Sequence, residues 1–119
     1  MTKEEILAMN PSIQLGDLVA IEVMEWRREG DHWVTPEGFW VDAEGLHGWY
    51  PWRDISAAWQ VVDKNDYSWF DVWRAYGKFY AKVRDGRLKG LEVVAGPCET
   101  APVAICKAAL LAIHSQKNI

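Results

Sequence analysis

Flat aromatic rings beside a guanidinium are the grouping in this sequence whose residue types invite chemistry. Between Glu29 and Arg53 the chain places Trp33, Trp40, Trp49, Tyr50 and Trp52 among Gly30, Pro36, Gly38, Gly45, Gly48 and Pro51, with Arg53 at one end and Arg27 and Arg28 at the other. A tryptophan face can stack on a planar base while an arginine fork holds an anionic group, and the same residue types also anchor protein interfaces. The candidate ligand-binding set is therefore Trp33, Trp40, Trp49, Tyr50, Trp52 and Arg53, and the ligand it suits is a nucleotide-like small molecule. The plain alternative is a satellite cluster packed under a long loop.

The rest of the sequence offers little to a catalyst. His32, His47 and His114 have no metal-like spacing, and neither Cys98 nor Cys106 has a CxxC partner, so no metal site is expected. Glycine-rich phosphate loops, Gly-x-Ser-x-Gly and His-Glu-x-x-His are all missing. Asp42 with Glu44, or Asp54 with Asp71, could be imagined as paired carboxylates, but acidic residues at such spacings serve more often as helix caps or solvated surface. The expectation is a protein that is not an enzyme, with no catalytic residue and no cofactor.

Composition narrows the partners. The 119 residues suit a single domain, 1–119, large enough for a core without staples. A formal net charge of -4 disfavours a nonspecific grip on phosphates, so nucleic acid is an unlikely partner. No apolar run approaches the roughly 20 residues of a membrane helix. With two cysteines and no recognisable leader, a reducing cytosol is the expected compartment.

These rings need elements to hold them. Thr2-Lys3-Glu4-Glu5 has the form of a capping box and opens a short helix to Ala8 or Met9, which Asn10-Pro11 ends. A second helix is expected from about Ser12 to Arg27, with Ile21 on its polar side as a small hint of a partner surface. His32 to Thr35 and Phe39 to Asp42 could pair across Pro36-Glu37-Gly38. Asp54 caps a third helix, Ile55 to about Lys64, whose apolar stripe would be Ile55, Ala58, Trp59 and Val62. Tyr67 to Ala75 alternates with large groups on both sides, as in a strand covered on both faces. Tyr76-Gly77 reads as a two-residue turn into a strand with Phe79, Ala81 and Val83 inward. A third strand through Leu88 to Val94 starts late or bulges near Gly90, and Gly96-Pro97 ends it. The final helix, Glu99 to His114, has Thr100 as its cap, Pro102 in the first turn, and only Lys107 and His114 as a narrow polar stripe. Trp26, Trp59, Trp69 and Trp73 are expected to fill the layers between sheet and helices. The class is α+β.

Three separated segments carry a resemblance. Leu18-Val19-Ala20 running to Val23-Met24 and Trp26, Asp54-Ile55-Ser56-Ala57-Ala58-Trp59-Gln60-Val61-Val62, and Glu99-Thr100-Ala101-Pro102-Val103-Ala104-Ile105-Cys106-Lys107-Ala108-Ala109-Leu110 together resemble the phage ABA sandwich domain. The resemblance spans nearly the whole chain. It implies a phage or prophage protein with a three-layer α/β/α sandwich, a small antiparallel sheet of about three main strands and about four helices, working in the host cell cytosol. It brings no catalytic residue with it, so activity has to be argued from the site.

Two functional classes follow. One is a phage-encoded binding protein that sequesters a nucleotide-like host immune signal through the aromatic loop, in which Trp49 or Trp52 would be needed for ligand and not for folding. The other is a protein-protein interaction module, either an inhibitor of a host protein or a homo-oligomeric accessory protein. Helix, three strands and helix from Asp54 to His114 also have the order of a double-stranded RNA binding domain, but the last helix begins at Glu99 and lacks the lysines such a domain needs.

Overall fold

The structure, a computed structural model, describes residues 1–117. Among these residues, four α-helices and two three-stranded antiparallel sheets form an α+β fold, as expected: α1 (Lys3–Ala8), α2 (Ile13–Leu18) continued by a π-helical turn (Val19–Val23), β1 (Arg27–Glu29), β2 (His32–Val34), β3 (Trp40–Asp42), α3 (Ile55–Asn65), β4 (Trp69–Ala75), β5 (Lys78–Arg84), a 3-10 turn (Gly86–Leu88), β6 (Glu92–Cys98) and α4 (Ala101–Lys117). The sheets are ordered β1-β2-β3 and β4-β5-β6. No helix among the described residues is long and apolar enough to cross a membrane.

The centre is α4. Every residue from Val103 to Ala112 is buried, because one side of the helix lies on β5 and β6 while α1, α3 and the π turn cover the rest. Small residues make this packing close: Ala104, Ala108 and Ala109 on the helix and Ala81 and Ala95 on the sheet are fully buried. Lys107, expected on a polar stripe, is buried as well. Its Nζ reaches 2.8 Å to the carbonyl of Leu7 and so satisfies one of the open carbonyls at the end of α1.

Several local expectations hold. Thr2 and Glu5 make the reciprocal capping-box bonds of α1, at 3.1 and 3.0 Å, and Asp54 caps α3 by accepting from the Ser56 amide at 3.0 Å. Tyr76 and Gly77 form the two-residue turn with both φ positive, 53° and 78°. The third strand does start late, at Glu92, because Gly86–Leu88 coil into a 3-10 turn. It also continues through Gly96-Pro97 to Cys98, beyond the expected stop.

Other expectations are corrected. The second helix does not run to Arg27: the Met24 and Trp26 amides bond back to Val19 and Ala20, Glu25 turns left-handed at φ 61°, and the chain leaves as β1. Three tryptophans expected in the core are exposed: Trp59 at 42%, Trp69 at 53% and Trp73 at 39%. On α3 the buried stripe is Ala57, Ala58 and Val61, one step round from the expected one, since small residues let α3 approach α4. On β4 the register places Phe70 and Val72 opposite Val83 and Ala81, on the face that meets α4. Trp69 and Trp73 lie on the opposite face, which is open to solvent.

One polar junction ties α3 to the large sheet. The Asp85 carboxylate accepts from the Ser68 amide at 3.2 Å and from Arg87 Nε at 2.7 Å, and Arg87 also donates to the Asn65 carbonyl at 2.7 Å. The guanidinium beside it holds the Asp85 carboxyl well below the usual carboxylate range. A lowered folded-state value means that this contribution to stability is complete above the unfolded value of about 3.9 and is lost as pH falls below it. Urea melts of wild type should therefore weaken between about pH 4 and pH 2, whereas Asp85→Asn should be less stable at pH 7 and respond less to acid across that window. Equal acid sensitivity in both proteins would show that other carboxylates govern the response.

Candidate functional site

The aromatic segment is held by one hydrogen bond and one close approach. Trp49 Nε1 donates to the Gly16 carbonyl on α2 at 3.1 Å, and its ring lies 4.5 Å from that of Trp26. A Cβ placed on Gly16 would stand 2.5 Å from the Trp52 ring, so the missing side chain is what lets Trp52 settle against α2. Gly16 gave no signal in the sequence beyond an unexplained glycine inside a helix.

These contacts frame a cleft of about 330 Å³, at the lower end of the range of small-molecule sites. Ile13, Asp17 and Ile21, from α2 and the π turn, form one wall. Arg28 and Trp33 of the small sheet form another, and Ala43, Glu44, Trp49 and Trp52 close it. Two smaller cavities, about 140 and 70 Å³, border α4.

The six residues expected to bind ligand are divided by the structure. Trp33, Trp49 and Trp52 meet at the cleft. Trp33 and Trp49 are only 2% and 5% exposed, so they present edges, and most of each ring is core. Strand register explains why Trp40 is elsewhere: Trp33 sits opposite Arg28 and Val41, whereas Trp40 sits opposite Val34 on the other face of the small sheet. Trp40 is 73% exposed and stacks on His32 at 4.0 Å. Tyr50 and Arg53 make their own stack, with the guanidinium 4.1 Å from the Tyr50 ring and Tyr50 edge-on to Trp52 at 5.5 Å. Neither of them lines the cleft.

Arg28 takes the place the sequence suggested for Arg53. Its guanidinium lies 5.2 Å over the Trp33 ring, and its Nε donates to the Gly30 carbonyl at 2.8 Å. With Asp17 and Glu44 nearby, the charged lining is one cation and two carboxylates. The alternation of the hairpin could have separated Trp33 from Trp40 in advance; the contribution of α2 could not be read without the π turn.

Two of the carboxylates considered in the sequence have structural duties. Asp54 caps α3, and Asp71 accepts from Trp69 Nε1 at 2.8 Å. Both cysteines are buried and free, and burial pushes the Cys106 thiol up to about 12, which keeps it protonated and unreactive at neutral pH.

Comparison with family models matches residues 17–110 to the phage ABA sandwich domain. The chain belongs to this family. A similar fold is found in a phage protein from Bacillus cereus ATCC 14579, whose crystal structure aligns with a TM-score of 0.65 at 27% identity over 90% of each chain. No curated protein matches the chain.

In this sandwich domain Trp49 is a structural residue as well as a cleft residue. Trp49→Ala should cost about 3–5 kcal/mol of unfolding free energy through lost packing and the lost bond to Gly16. Trp40→Ala should stay within about 0.5 kcal/mol of wild type, as an exposed surface position does. Denaturant unfolding of the two variants measures both.

Proposed function

We propose that this phage sandwich protein is a non-catalytic binding protein that takes a small, flat, nucleoside-like molecule into the cleft between α2, the small sheet and the Trp49–Trp52 segment. The cleft itself, about 330 Å³ with tryptophan edges and the partly buried Trp52 around one guanidinium and two carboxylates, carries the reading. A planar ring suits the apolar wall of Trp52, Ile13 and Ile21. Amino or hydroxyl groups suit the acceptors Asp17 and Glu44, and a single anionic group suits Arg28. Two carboxylates against one cation repel a polyphosphate, which moves the expected ligand from a highly charged nucleotide toward a nucleoside or a singly charged derivative. In a phage protein, holding such a molecule without turnover would sequester a host signal.

The test is native mass spectrometry of the protein incubated with a filtered host extract, followed by titration with adenosine and adenosine monophosphate, with tryptophan fluorescence as readout. Wild type should retain a small molecule. Ile21→Glu should lose it while melting close to wild type, Trp52→Ala should lose it together with some stability because its ring packs against the core, and Arg28→Ala should weaken it about tenfold, equivalent to about 1.4 kcal/mol. Retention by all three variants at wild-type level would end this reading.

A second reading, an interaction module for a host protein, is favoured by the apolar rim of the same cleft, where Ile13 is 61% and Ile21 49% exposed. A host protein recovered with wild type and absent from Ile21→Glu, with no small molecule retained, would select it.

A further inference from the structure

We propose that two copies of this chain associate through the free edge of β4, joining their large sheets into one six-stranded antiparallel sheet. β4 pairs only with β5, and among the described residues the backbone groups on its other edge take no partner from another element. The strand is seven residues long, with neither proline nor glycine. Its register against β5 is regular over all seven pairs, and of the devices that blunt an edge strand it has only the charges Asp71 and Arg74. The opposite edge, β6, has others: Gly96 interrupts it with a φ of 134°, Pro97 cannot donate, and its register against β5 is irregular.

The occupant is a second copy because the strand is complementary to itself in one register. A two-fold axis normal to the sheet pairs residues of like parity, as a closed homodimer requires. Centred on Val72, it uses all seven residues: Trp69 faces Ala75 of the second copy, Phe70 faces Arg74, Asp71 faces Trp73, and Val72 faces Val72. No like charges are opposed. On the α4 side, Arg74 already lies 5.9 Å from the Phe79 ring and would be shared with the incoming Phe70. Centring on Asp71 instead would oppose two carboxylates, which destabilises a strand pair. Centring on Trp73 would leave Trp69 and Phe70 facing the turn.

The same register accounts for the exposed tryptophans. Trp73 stacks on Tyr80 at 5.5 Å, and Trp69 holds Asp71 through its indole N–H. Each open sheet face thus carries its large rings to the edge, where the seam would continue them onto the second copy. This association involves neither the cleft nor its ligand and stands or falls without them.

Sedimentation velocity and cysteine cross-linking test it. Wild type should sediment as two copies of 13.6 kDa. Trp73→Asp, which opposes two pairs of carboxylates across the seam, should sediment as one copy with an unchanged far-ultraviolet spectrum, whereas Trp73→Lys, which would face Asp71 of the second copy with the opposite charge, should keep the dimer. Val72→Cys should cross-link rapidly with copper-phenanthroline as oxidant, since the two side chains would meet at the axis. Ala75→Cys should not, because its copies would lie about 20 Å apart at about 3.4 Å per residue. A wild-type monomer at high micromolar concentration, or cross-linking of Ala75→Cys as fast as that of Val72→Cys, would overturn the proposal. The cross-link decides the matter if Trp73→Asp fails to fold.

Discussion

From Val103 to Ala112, α4 has no face left for water. A helix buried all round can be satisfied only if other elements approach from every direction, and at Ala104, Ala108, Ala109 and Ala112 the approach must be close because the helix offers only a methyl group. The large sheet therefore meets it through Ala81 and Ala95, and α3 through Ala57, Ala58 and Val61. The one charge on this stretch, Lys107, is tolerated because its ammonium ends on the Leu7 carbonyl, so that α1 is both a lid on the helix and the partner of its cation. Once the sheet has used one face on α4, its other face is left to Trp69, Trp73, Tyr80 and their charged neighbours.

How the tryptophans divide follows from this constraint and not from their local setting. Regular elements suggested core for Trp59, Trp69 and Trp73, and glycine-rich surroundings suggested a free loop for Trp33 and Trp49. The structure exchanges these roles. A helix packed through alanines has no room beneath it for an indole, so Trp59 moves to the flank and meets Phe70 edge-on at 6.2 Å. Trp33 and Trp49 are drawn inward and, with Val41 and Trp52 packed beside them, close the side of the core next to Trp26. Of the four tryptophans expected inside, Trp26 alone is buried, at 8% exposure.

What the sequence made legible was whatever depends on neighbours a few residues away. The capping box of α1, the Asp54 cap, the Tyr76-Gly77 turn, the hairpin across Pro36-Glu37-Gly38 and the buried character of α4 are all local chemistry, and all are found. The end of the second helix was not legible. Val19 to Val23 contain no glycine or proline to signal a change, and the π turn delivers Trp26 onto Trp49, a contact between residues far apart in the chain. The first strand of the small sheet, Arg27–Glu29, was lost with it, and so was the reason Arg28 rather than Arg53 faces the cleft. Of the candidate site, half was visible as residue types, while the wall contributed by α2 was not.

The cleft inherits a division of labour from this packing. Trp49 anchors to Gly16 and Trp33 lies beneath Arg28, so neither can change without disturbing the core, and the floor is fixed by stability. Ile13, Asp17, Ile21, Glu44 and Trp52 have side chains that the core does not need in full, and Trp52 is seated by the absence of a Cβ at Gly16 rather than by a bond of its own. The walls can therefore vary in residue type while the floor stays constant. Here the buried groups are indoles with their hydrogen bonds directed into the protein, as at Trp49, and the polar groups stand at the margin. The floor of the cleft is thus apolar and anchored to the core, while its charged groups, Arg28, Asp17 and Glu44, belong to its walls.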